Sequence, residues 1–291
     1  MKTLIADKKI AKAALSVQRD EITEHLVYTR LAALCRDPRN AEVLRVIAGE
    51  ELRHSDYWKD KTGVDVRPNR VKAFFTILLA RIFGLTFCLK RMEQNENAAQ
   101  HTYDALAVRF PEVTKINADE SEHERKLLNM LDEERLRYVG SIVLGLNDAL
   151  TELTGALAGF TLALGGTRLI GLAGIVTGIA AAFSMGASAY LSGRAEGNSR
   201  AARSALYTGA AYIITAALLV LPFLLFSNRF AALALTLSIA VFILFIFNYY
   251  LAVVKELNFT RRFLEMAFIS LGVAALSFGV GFALKGALGV E

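Results

Sequence analysis

The chain has 291 residues, 54% of them hydrophobic, with two cysteines and a formal net charge of +5. That composition excludes a disordered chain, a collagen-like fibre and a disulfide-stapled scaffold, and Cys35 and Cys88 form no CxxC metal or redox motif. Charge is unevenly spread: residues 1–138 hold 24 basic and 22 acidic side chains, 46 of the 61 in the chain, and residues 139–291 hold the other 15. The near balance of the first part, with no basic stripe carrying interleaved aromatics, excludes nucleic acid as a partner. No apolar run follows the lysines near Met1, so no cleavable signal peptide is expected.

The sequence predicts an all-α protein of two domains, 1–138 and 139–291. Four helical segments are expected in the first, at about 6–36, 39–61, 68–108 and 111–138. Asp37-Pro38, Thr62-Gly63 with Pro68, and Phe110-Pro111 punctuate their joints. Long helices with short joints suggest an antiparallel four-helix bundle. The first helix offers Glu21, with Tyr28 two turns along on the same side and assigned to the core. The second carries Glu51-Leu-Arg-His54, which places a carboxylate and an imidazole one turn apart on one face. The third begins with an apolar run, Val71–Lys90, interrupted by Lys72, Arg81 and Lys90. An arginine at its centre would be costly in lipid, so it reads as an apolar helix of the first domain resting on a dimer partner or on the membrane surface. Farther along lie Glu93 and Glu96, and the fourth helix repeats the pair as Glu120-Ser-Glu-His123.

One glutamate from each of two helices plus a Glu-x-x-His from each of the others is the ligand set of a di-iron or di-manganese carboxylate bundle. Carboxylates bridge two hard cations, and the imidazoles favour iron or manganese over calcium. Glu21 and Glu93 are 72 residues apart and His54 and His123 are 69 apart, a spacing that points to a duplicated helical hairpin. Glu24, His25, Glu50, Glu122 and Glu124 are expected to be solvated or to support the ligands from outside, and His101 to be structural. These residues resemble the rubrerythrin branch of the ferritin-like superfamily at Glu21, Glu51/His54, Glu93, Glu96 and Glu120/His123. The resemblance implies a di-iron centre that reacts with oxygen or peroxide; the cysteine-ligated rubredoxin module of rubrerythrin is absent.

From Val139 onward, five apolar runs of spanning length are expected, at about 139–163, 169–191, 206–226, 230–254 and 264–284. Arg194, Arg200 and Arg203 follow the second, and Lys255, Arg261 and Arg262 follow the fourth; the other connections carry only Arg168 and Arg229. Positive loops stay in the cytoplasm, so the N-terminal domain is expected there and the C-terminus on the far side of the plasma (inner) membrane. The first span contains Asp148 and Glu152, four apart on one face, and intramembrane acids are functional candidates. The second contains Ser184-Met185, whose soft sulfur suits Fe²⁺ better than Mg²⁺ or Ca²⁺.

The Leu-Gly-Leu-Asn-Asp148-Ala-Leu run, Ser184-Met185 and the five spans resemble the vacuolar iron transporter family. That resemblance implies a homodimer exporting Fe²⁺, and often Mn²⁺, in exchange for protons, with Asp148 and Met185 as cargo ligands. Two features depart from the family: the acidic insert that its plant members carry between spans two and three is missing, and Ala189 precedes Tyr190 where a glutamate is common. The fusion is similar to membrane-bound ferritin-like transporters of prokaryotes. The expected function is therefore export of Fe²⁺ or Mn²⁺ by proton antiport, fed or sensed by the bundle's di-iron site. The alternative is a membrane-anchored ferroxidase or peroxide-scavenging enzyme.

Overall fold

A computed structural model describes the backbone of residues 4–129 and 138–288 and, within these, the side chains outside 96–105, 117, 121, 124, 128–129 and 284–288. The described residues form helices and no strands, in two compact units, Met1–Asp132 and Glu133–Glu291.

The first unit contains α1 (Lys8–Leu34), α2 (Pro38–Thr62), α3 (Arg70–Phe83), α4 (Leu85–Ala107) and α5 (Val113–Asn129). Asp7 caps α1 by accepting from the Lys9 and Ile10 amides, and Asp37 caps α2 ahead of Pro38. The expected third helix is two. Gly84, at φ 96° and ψ 165°, ends α3 and starts α4, a backbone conformation that a side chain would resist. α1 packs on α2, α2 on α5, α5 on α4 and α4 back on α1, so four helices close a circuit while α3 lies against α1 and α4.

Two apolar layers fill this unit. One includes Ala14, Val17, Trp58, Val113 and Ile116; the other includes Val27, Tyr28, Leu31, Leu44, Ile47 and Leu127. Between them along α1, α2 and α5 fall Glu21, Glu51, His54, Glu120 and His123. Glu21, Glu51, His54 and His123 are all buried. They occupy core positions in the 3.6-residue register, so the same packing that hides Leu44 and Ile47 hides two acids and two imidazoles. Buried groups of this kind cost several kcal/mol unless they are paired or coordinate a metal.

The second unit begins with α6 (Val139–Asp148), a π turn (Ala149–Leu153) and α7 (Thr154–Ala163), followed by α8 (Thr167–Ala195), α9 (Ala201–Leu225), α10 (Arg229–Val254) and α11 (Phe259–Leu288). Four of these helices, α8 to α11, are long and apolar enough to cross a membrane, and only 17 to 44% of each apolar window is buried within the unit. So much exposed apolar surface on long helices requires lipid, and the protein is an integral membrane protein. The first expected span is helical over 139–163, but the π turn directly after Asp148 interrupts it. Within that turn the Leu150 carbonyl accepts from Ser270 Oγ of α11 at 2.7 Å. α7 and α11 approach backbone to backbone through Gly159 and Gly281.

A Cβ at Gly145 of α6 would overlap the Thr208 carbonyl of α9, whereas one at Gly140 would meet nothing within 4 Å among the described residues. Gly145→Val should therefore cost about 1–3 kcal/mol or more, because α6 and α9 must separate. Gly140→Ala should be neutral. Thermal unfolding in detergent, followed by circular dichroism, checks the pair; equal melting temperatures would contradict this close approach.

Candidate functional site

Four groups converge in the first unit: Glu21, Glu51, His54 and Glu120 each place one ligand atom within 4.8 Å of the others'. Glu51 turns Oε2 to His54 Nδ1 at 3.8 Å and Oε1 to His123 Nδ1 at 3.3 Å. Glu120 repeats the arrangement, with Oε1 at 3.2 Å from His54 Nδ1 and Oε2 at 3.5 Å from His123 Nδ1. Glu21 Oε2 completes the His54 side at 3.6 Å. Two carboxylates thus each straddle two imidazoles whose rings stack 6.0 Å apart.

The imidazoles are held from behind. His54 Nε2 meets Asp119 Oδ2 at 3.4 Å, and His123 Nε2 meets Glu50 Oε2 at 2.5 Å. Each carboxylate comes from the opposite Glu-x-x-His helix and immediately precedes that helix's glutamate. Such contacts fix the tautomer and aim Nδ1 inward.

Both Glu51 oxygens and the two Nδ1 atoms are buried without a hydrogen bond among the described residues. Orphaned donors and acceptors that converge on one another are what a cation would satisfy, and carboxylate oxygens with two imidazole nitrogens suit a pair of iron or manganese ions. The residues fit that group.

Protonation follows the same geometry. Burial alone would lower the His54 pKa, but the facing carboxylates of Glu120, Glu21 and Glu51 lift it to about 12. For His123, burial is likewise overcome by Glu120 and Glu51, and the value rises to about 10. Burial pushes the Glu21 carboxyl well above its ordinary value, with the charges of Glu51 and Glu120 adding to the rise. Burial would also raise Glu51, yet contacts from His123 and His54 hold it at about 2. Charge in the cluster is balanced by protons that a metal would displace.

Glu93 is ion-paired to Lys90 at 3.2 Å and is not among the four that converge. The Glu96, His101 and Glu124 side chains lie outside the described residues. Tyr28 is buried in the lower apolar layer. His25 Nδ1 lies 2.7 Å from the Ala48 carbonyl, and Glu24 lies 3.7 Å from Lys72 Nζ. Asp119 is the residue that sequence reading missed, although the acid-Glu-x-x-His pattern at 50–54 recurs at 119–123.

In the second unit, Asp148 closes α6 and Glu152 lies within the π turn. Tyr212 of α9, fully buried, donates its hydroxyl to Glu152 Oε2 at 3.2 Å. It stands one turn beyond Thr208, where Gly145 lets α6 touch α9. Asp148 is half-buried, whereas Glu152 remains exposed on the surface of the unit. Met185 of α8 is partly buried against the unit's apolar core. Nothing local in the sequence links Tyr212 to Glu152, since 60 residues separate them.

Residues 139–203 match the VIT family, a stretch that covers under a quarter of the chain and includes Asp148, Glu152 and Met185. No curated protein is similar to the chain.

Proposed function

We propose that this protein exports Fe²⁺ or Mn²⁺ from the cytoplasm by proton antiport, using a metal-binding four-helix unit of ferritin-like, rubrerythrin type to capture or sense the cargo. The VIT match around an acidic pair in an otherwise apolar segment, 139–163, carries this reading. Asp148 and Glu152 supply negative charge for a divalent cation, and Met185 supplies a soft donor that discriminates against Mg²⁺ and Ca²⁺. Tyr212 holds Oε2 of Glu152 and leaves Oε1 for the cargo.

Carboxylates that bind a cation give up protons and recover them when it leaves, so outward metal movement is coupled to inward proton movement. Glu152, exposed on a membrane-embedded unit, would be costly against lipid, which supports a homodimer whose second copy covers this face. The 139–163 segment would act as a fifth span, and the positive connections support an orientation with the first unit in the cytoplasm of a plasma-membrane protein and the C-terminus outside.

In the first unit, Glu21, Glu51, His54, Glu120 and His123 would hold the metal, the carboxylates supplying negative charge and the imidazoles nitrogen donors. An iron pair supplies one-electron chemistry toward oxygen or peroxide when bound. The buried cluster therefore also favours a second reading, a membrane-anchored ferroxidase or peroxide scavenger. The two separate in proteoliposomes containing a pH dye. The transporter moves Fe²⁺ or Mn²⁺ with opposing proton flux, while the anchored enzyme consumes oxygen on Fe²⁺ addition and moves no metal.

Tyr212→Phe tests the path from a second direction. Losing one hydrogen bond to a charged group costs about 1.5–3 kcal/mol. The variant should fold normally and transport roughly 10- to 100-fold more slowly at low cargo concentration. A wild-type rate would remove Tyr212 from the path.

A further inference from the structure

α3 is amphipathic the wrong way round for a helix of a soluble unit. Ala73 is its one buried residue among those described. Val71, Phe74, Phe75 and Ile82 are each more than half exposed, and Leu78 is 37% exposed. At 3.6 residues per turn these five positions form one stripe, and that stripe points away from α1 and α4, on which the helix rests. Phe74 and Phe75 stand edge to face at 5.6 Å within it.

The flanks of the stripe are basic. Arg70 and Arg81 fall on the same side of it, eleven residues and three turns apart, and both are exposed without an ion-pair partner among the described residues. Lys72, on the other side, is held by Asp20 at 2.8 Å and Glu24 at 3.7 Å. α3 itself contains no acid. A second copy is a poor cover for this face. Two-fold antiparallel packing of the stripes would bring the Arg70 end of each helix against the Arg81 end of the other, with no carboxylate on α3 to offset the repulsion. A lipid leaflet with anionic headgroups matches both features, taking the apolar stripe among acyl chains and the arginines among phosphates. It is also always within reach, because the same chain carries four helices of membrane length.

We propose that α3 is a membrane-surface helix that lays its Val71–Phe74–Phe75–Leu78–Ile82 stripe into an anionic leaflet and so docks the first unit on the bilayer. This does not depend on the chain being a transporter, only on its being embedded in a membrane. The full chain carrying Phe74→Trp, reconstituted in phosphatidylglycerol/phosphatidylcholine vesicles with brominated acyl chains, tests it. The sole native tryptophan, Trp58, is fully buried and serves as the internal reference. The new emission should be blue-shifted and quenched several-fold more than that of the native chain. Arg70→Glu with Arg81→Glu should remove most of the added quenching, and Leu78→Trp should behave as Phe74→Trp does. Red, unquenched emission from both tryptophan variants would show a wet face and overturn the proposal. Blue but unquenched emission would show cover by protein, such as a second copy, and would overturn it equally.

Discussion

Asp148→Asn should lower metal flux through proteoliposomes by roughly 100- to 4,000-fold, since removing one charged partner from a desolvated ion contact costs about 3–5 kcal/mol. The substitution keeps the shape of the side chain, so the π turn and the Gly145–Thr208 approach should survive it. Proton counterflow should fall in step with metal flux, because in an antiporter neither ion crosses without the other. Glu152→Gln should be milder. Its carboxylate is exposed and already shares one oxygen with Tyr212, so less of its charge is given to the cargo. Undiminished flux in Asp148→Asn would defeat the transport path drawn here. Undiminished oxygen consumption beside absent flux would leave the first unit as the working part.

The pattern of agreement between sequence and structure has a physical reason. Helix ends at Asp7, Asp37-Pro38 and Gly63 follow from capping chemistry that acts over three or four residues. The Glu51/His54 and Glu120/His123 pairs were readable for the same reason, since one turn of helix places both groups on one face. Much of what escaped the sequence depends on neighbours distant along the chain. Periodicity across Val71–Lys90 runs on through Gly84, and it is the positive φ of that glycine that makes the break. Hydropathy over 139–163 carries no sign of a π turn, whose Leu150 carbonyl is met by Ser270, 120 residues away. Composition also explains why the membrane unit was plain. An apolar run of spanning length is a one-dimensional property, whereas the Tyr212–Glu152 hydrogen bond arises only once α6 and α9 meet.

Metal uptake by the first unit should release protons, about two to three for a full pair of divalent ions. The sign follows from the protonation of the cluster. His54, held up to about 12, and His123, held up to about 10, both carry a proton at neutral pH, while burial moves the Glu21 carboxyl well above its ordinary value. Each must lose that proton to serve as a ligand, so apparent affinity rises as pH rises and falls as pH falls. Glu51, at about 2, is already ionised and contributes no proton. Calorimetric titration of the full chain with Mn²⁺, in buffers of different ionisation enthalpy, reads the number directly; heats independent of buffer would contradict this protonation scheme. Glu51→Ala removes one of the two carboxylates that face both imidazoles and should abolish paired binding, whereas Asp119→Asn, which loosens only His54, should weaken it by roughly 10- to 100-fold. Glu93→Ala separates a ligand from a bystander: if the Lys90 pair is the whole of its role, Mn²⁺ stoichiometry stays at that of the native chain, and if Glu93 leaves Lys90 to complete the site, one ion is lost.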